Sequence, residues 1–233
     1  MEIQVQPDAQ EPSRGTEKAK RVKNDRFAWW QSLIILVVTL AICLTAGYYV
    51  SNKYLWNSNS DQIAKHLKYY KAEVDSKPND PKLRVQLGYT YFLKGDIDTA
   101  IKQYEMAKSL DKNYYDAYLN LSIAYDKQKL TDDALQMAIK AVKISPLDYK
   151  GQLLEGRSYR KLKMYDKATK ALEEAIRLKP GNTDIIYEVG LVAEAEGKKK
   201  EAEQVYKETL TYDPTYKPAL TALERLASKD KNK

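Results

Sequence analysis

From residue 81 onward the chain repeats itself every 34 residues, and that period limits its fold more than any other feature. Ala100, Ala134, Ala168 and Ala202 stand one period apart. The same register holds Gly88, Ser122, Gly156 and Gly190, then Tyr91, Tyr125, Tyr159 and Ala193, and Lys112, Pro146, Pro180 and Pro214 close the units. Self-similarity at such a period marks a stack of supersecondary units, none of which can bury its apolar face alone.

Within a unit the apolar spacing is helical. Leu83, Leu87 and Tyr91 share one face, and beyond the "KGD" turn Ile97, Ala100, Ile101 and Tyr104 share another. The small residues let two helices approach closely, and the tyrosines supply the large ring between them. Proline at the end of a unit stops the second helix, because it has no N–H for the next backbone hydrogen bond. The chain is therefore expected to be all-α, with helix pairs at 81–114, 115–148, 149–182 and 183–216.

On "LGYTYFLKGDIDTAIKQYEMA" and "LEGRSYRKLKMYDKATKALEEA" the chain resembles the tetratricopeptide repeat (TPR) family. The resemblance covers 81–216, with the half-unit "KPALTALERLASK" in 217–233 as a solvating cap. "DQIAKHLKYYKAEVDSKP", in 61–80, reads as a divergent N-terminal cap whose Ala72 is one residue out of register. Lys112, Ala193 and Thr209 depart from the pattern, and the ring missing at Ala193 implies looser packing there.

The resemblance implies a right-handed superhelix whose first helices line a concave groove for a partner segment. Carried over by column, the groove takes Lys82, Val85, Tyr89, Phe92 and Leu93, then Asp116, Leu119, Ile123, Asp126 and Lys127. It continues with Lys150, Leu153, Arg157, Arg160 and Lys161, then Asp184, Tyr187, Leu191, Glu194 and Ala195. Some members grip a C-terminal carboxylate with a clamp of lysines and asparagines. Here Val85 and Tyr89 replace two of those polar residues, although Asn120 fits a later one, so the clamp is incomplete. The expected partner is a protein segment with apolar anchors and acidic residues: Tyr89 and Phe92 offer apolar area, while Arg157 and Arg160 can fork onto carboxylates. An ordinary solvated surface is the competing interpretation of the same columns.

Ahead of the repeats, "AWWQSLIILVVTLAICLTAGYYV" at 28–50 carries no charge. About 20 apolar residues cross a bilayer's hydrocarbon core, and paired aromatics at Trp29/Trp30 and Tyr48/Tyr49 suit the two interfaces. A transmembrane helix over 27–50 is expected, with a cleaved signal peptide as its rival. Lys18, Lys20, Arg21, Lys23 and Arg26 precede it and Lys53 follows, so the positive-inside bias leaves the N-terminus cytoplasmic and sends the repeats across. Residues 1–26 are expected to be disordered and 51–60 to be a polar linker.

Composition closes several classes. One cysteine, Cys43, leaves no disulfide framework, zinc site or CxxC pair within one chain, and one histidine, His66, nearly closes the His-based catalytic and metal sets. The net charge of +7 fits a lysine-rich solvated surface, and Asp116, Asp126, Asp184 and Glu194 interrupt any basic stripe for nucleic acid. P-loop, GxGxxG, GxSxG and HExxH patterns are absent, and the adjacent pairs Asp132/Asp133 and Glu173/Glu174 point apart on their helices. The expected function is thus a non-enzymatic, cofactor-free interaction scaffold tethered to the cell membrane, assisting assembly of an exported or membrane complex. Two other roles remain open: an import receptor with a cytosolic solenoid on a mitochondrial outer membrane, and a subunit tethering an enzyme to the membrane. The sequence does not name the oligomeric state.

Overall fold

The computed structural model describes residues 29–51 and 57–231, and these fall into two compact units dividing at Tyr54/Leu55. The expectation of disorder over 1–26, and half of the expected linker over 51–60, lie outside the described residues. The first unit is a single helix, α1 (Trp29–Val50), in which Thr39 and Thr45 return their hydroxyls to carbonyls of the preceding turn. Its stretch Trp30–Val50 has a mean hydropathy of 2.4, long and apolar enough to cross a membrane.

The second unit is built of α2 (Asn57–Ser76), α3 (Pro81–Lys94), α4 (Ile97–Leu110), α5 (Tyr115–Lys127), α6 (Thr131–Ile144), α7 (Tyr149–Lys161), α8 (Tyr165–Leu178), α9 (Thr183–Ala195), α10 (Lys199–Tyr212) and α11 (Lys217–Lys231). Consecutive helices pack on one another from α2 to α11, and α3, α5, α7 and α9 also touch in sequence along one side. We call α3, α5, α7, α9 and α11 the A helices and the others the B helices. The all-α repeat architecture expected from the period is the one observed.

Local signals set the helix ends. Asp80, Asp96, Asp148 and Asn182 each accept a backbone N–H of the first turn they precede. At the A–B turns, Gly95 and Gly197 adopt positive φ, and the same column is filled by Lys129 and Lys163 at φ 65° and 59°. A side chain is disfavoured in that conformation, so the turn geometry is imposed there by the packing of its two helices. α2 begins at Asn57, so 57–60, expected in the linker, are helical.

The core is a series of small-against-large contacts. Ala100, Ala134, Ala168 and Ala202 are fully buried, as are Leu172 and Tyr206. A Cβ built on Gly88 would lie 2.6 Å from the Tyr104 ring, and one on Gly156 would lie 2.7 Å from Leu172. Gly190 meets the Tyr206 ring more closely still. The looser packing expected at Ala193 is not found. Ala193 is buried with Tyr206, Ala219 and Leu226, and Tyr187 fills the space between Tyr206 and Tyr216, its ring 5.5 and 5.6 Å from theirs.

The ends of the stack break the columns. In α2, Leu67 and Val74 pack on Leu87, while His66 holds the register of Ala100 and Glu73 that of Ala107. Ala72 is exposed, so it does not act as a displaced core alanine. At the other end, Glu224 takes the glycine register in α11 and is exposed.

The glycine column sets a stability test. An exposed helical Gly→Ala change gains about 0.5–1 kcal/mol, but at Gly190 the added methyl runs into a ring with no room to retreat, and overpacking costs about 1–3 kcal/mol. Gly190→Ala is expected to lower the urea midpoint of the repeat domain, with an unchanged or raised midpoint as the contrary result.

Candidate functional site

The A helices stand side by side, so residues one period apart meet along their shared face. Ion pairs run across it. Lys161 on α7 donates to Asp126 of α5 at 2.5 Å. Arg157 and Arg160 on α7 both donate through Nε to Glu188 of α9, at 3.1 Å to Oε2 and 2.5 Å to Oε1. Arg225 on α11 reaches Glu194 of α9 at 2.5 Å, and the Tyr206 hydroxyl donates to the same carboxylate at 2.9 Å. Tyr216 donates to Asp184 at 2.6 Å. Burial, with Asp184 beside it, raises the Tyr216 pKa, and burial with Glu194 does the same for Tyr206.

Glu188 organises this network. Its side chain is 2% exposed, whereas those of Arg157 and Arg160 are 34% and 18% exposed. A carboxylate so far from water is costly to the fold unless cations are paired with it. Each arginine thus commits its Nε to one internal carboxylate, so the expected fork onto a partner's carboxylates is left to their terminal nitrogens. Lys161 is likewise held by Asp126. The surrounding units carry complementary charge, with nine basic and four acidic residues in 149–182 against four basic and eight acidic in 183–216.

Three further groove candidates are core residues. Val85, Leu119 and Leu153 are 4%, 9% and 8% exposed. Val85 clusters with Ala117 and Leu121, Leu119 with Leu154, and Leu153 with Ile185 and Val192, so each is covered by the next A helix. They cannot offer a partner their own surface. Tyr187 and Leu191 are half-buried in the cluster around Tyr206. Lys82 and Lys150 are exposed in first turns capped by Asp80 and Asp148.

The large apolar groove candidates that stay open lie on α3 and α5. Tyr89, Leu93 and Ile123 are 46%, 49% and 36% exposed. Phe92 beside them is half-buried against the first core cluster, and Lys127 is exposed one turn beyond Ile123. The structure thus divides the expected groove into an open apolar stretch and a stretch closed by its own ion pairs.

Glu188 was missing from the sequence expectation. It holds the register of the buried Leu154, where Gln86 and Asn120 stand in the first two repeats, so the signal is a carboxylate one period after a buried leucine, which calls for a cation. Glu155 carries a similar signal in the column of Leu87 and Leu121. Burial raises its pKa, partly offset by the Tyr159 hydroxyl. The surrounding cleft, of about 370 Å³, also takes Lys167, Lys170 and Glu174.

Three models of the repeat match the chain. One described as TPR repeat covers 88–129, one described as tetratricopeptide repeat covers 149–182, and another of that description covers 115–146 and 183–216. Among curated relatives, the TPR repeat-containing protein YpiA of Bacillus subtilis is 27% identical over 68% of this chain and 38% of its own length. The protein O-mannosyl-transferase TMTC1 of Homo sapiens is 26% identical over 72% of this chain and 20% of its own. The chain thus spans well under half the length of either relative. Among solved structures, the 41-end form of MamA from Desulfovibrio magneticus RS-1 aligns with a TM-score of 0.60 at 20% identity, covering 72% of this chain and 94% of that one. YrrB, described as a TPR protein with an unusual peptide-binding site, aligns at 0.58 and 18% identity, covering 72% and 86%.

Two measurements test the site. Arg157→Ala with Arg160→Ala leaves Glu188 buried without a cation. The double variant is expected to lose about 3–5 kcal/mol of unfolding free energy, and a loss under about 1 kcal/mol, within the range of an exposed pair, would contradict the network. For Glu155 the sign runs the other way. A carboxyl whose folded pKa lies above its unfolded value of about 4.3 costs stability at neutral pH, and the cost fades as pH falls through the folded pKa. Glu155→Leu is therefore expected to raise the urea midpoint at pH 7, by an amount that shrinks on acidification; a pH-independent gain would show that ionisation plays no part. With its columns, helix pairs and matched segments in agreement, this chain belongs to the tetratricopeptide repeat family.

Proposed function

We propose that the chain is a membrane-tethered scaffold that holds a segment of another protein on its A-helix face, in support of assembling an exported or membrane complex. The observation that carries this reading is one chain joining two things: a span of mean hydropathy 2.4 and a repeat domain with open apolar side chains on its A helices. Repeats of this family act as protein-interaction scaffolds, and the peptide-binding site named for YrrB belongs to a protein of the same fold. In this reading α1 remains in the bilayer, the five cationic residues of 18–26 hold the N-terminus in the cytoplasm, and the repeats lie on the other side. The role requires no chemistry from the chain and no cofactor.

The test is topological. Membranes from cells making the full chain are divided: one portion is washed with alkaline carbonate, and the other, left sealed, receives protease from the extracytoplasmic side. The expected result is a full-length chain retained through the wash and, in the sealed portion, repeats that are digested. Release by carbonate, or a mature chain beginning after residue 47, overturns the tether; repeats protected until the membrane is opened overturn the orientation.

A further inference from the structure

Resting on the scaffold reading, we infer that partner recognition is confined to the first two repeats, and that the occupant is an apolar segment bearing acidic residues. The A-helix face is not uniform. On α7, α9 and α11 the cations of the face beyond the first turn of α7 are engaged by the chain's own carboxylates: Lys161 by Asp126, Arg157 and Arg160 by Glu188, and Arg225 by Glu194, while Lys150 in that first turn is exposed. An acidic segment arriving there must displace a carboxylate that is 2% exposed and has nowhere in water to go. That stretch is closed to acidic partners by internal competition.

The same columns differ in the first two repeats. Tyr89 and Ile123 hold the register of Arg157, and Leu93 that of Lys161. These three side chains are more than a third exposed, and α3 and α5 touch directly, so they form one apolar strip. Exposed lysines border it: Lys127 a turn beyond Ile123, Lys94 after Leu93, and Lys82 in the first turn of α3. Asp126 is committed to Lys161, so Asp116, exposed in the register of Lys82, stands against three lysines. An apolar strip with a cationic border favours apolar anchors flanked by Asp or Glu and disfavours a basic segment. Aromatic and aliphatic anchors supply affinity through the area they bury, and the lysines set orientation.

The experiment uses the full chain in its own membrane. A photoreactive benzoylphenylalanine replaces Tyr89, Ile123 or, on the closed stretch, the exposed Ala195, and cross-linked peptides are read by mass spectrometry. Adducts are expected at 89 and 123 but not at 195, on peptides with apolar residues and net negative charge. Lys127→Glu is expected to cut the yield at 89 about fivefold or more through like-charge repulsion, without shifting the melting temperature, and Lys127→Gln to fall between. Adducts at 195 alone, adducts on basic peptides or on a second copy of this chain, or indifference to Lys127→Glu overturn the inference while leaving a scaffold possible. Adducts at none of the three positions overturn the scaffold reading as well.

Discussion

The solenoid depends on one contact repeated along it: a large side chain of a B helix laid against the bare backbone of its A helix. Tyr104, Leu172 and Tyr206 fill this role opposite Gly88, Gly156 and Gly190. Each buried side chain of this size contributes about 1.5–3 kcal/mol over leaving it in water. The contact also fixes how far apart the two axes lie. Because that spacing recurs, successive A helices come to stand side by side. The Glu188 network follows, since Arg157 and Arg160 reach a carboxylate on the next A helix only if the period holds.

A buried carboxylate is an expensive way to join two helices. Apolar residues of similar volume often serve stability as well or better. Leu154 does so in the equivalent place one repeat earlier. What Glu188 adds is direction. It accepts from two arginines on one helix, so a shift of α9 along α7 would cost both bonds together. With opposite charge on the units at either side, the joint between the third and fourth repeats is the most strongly polarised in the chain. The α9–α11 joint uses the same device in weaker form, through Glu194 and Arg225, both nearer to solvent.

The fold was legible in the sequence because its determinants are columns, and a column repeated four times needs no knowledge of three-dimensional packing. Gly88, Ala100 and Tyr104 can each be placed by counting. The candidate site was less legible because it depends on pairs between columns. Arg157 and Glu188 are 31 residues apart, off the period, so reading each column alone leaves both looking free. Val85, Leu119 and Leu153 were misjudged for a related reason. Counting columns within one unit places them on the groove, but does not show that the next A helix covers them. At Ala193 the lost ring was visible, whereas its replacement by Tyr187 against Tyr206 and Tyr216 required the packing itself.

The repeats also act as controls on one another. In the third repeat the columns of Tyr89 and Leu93 are filled by Arg157 and Lys161, and that helix pair packs as closely as the first, with Leu172 on Gly156 as Tyr104 lies on Gly88. The fold therefore does not need an apolar residue in either column. A solvent-facing leucine or isoleucine there contributes little to the core, and a charged residue would serve solubility better. Tyr89, Leu93 and Ile123 stand where the architecture leaves the choice free, which separates them from Val85 and Leu119 on the same two helices. Those two are apolar because the next repeat must pack on them; the exposed three have no such reason among the described residues.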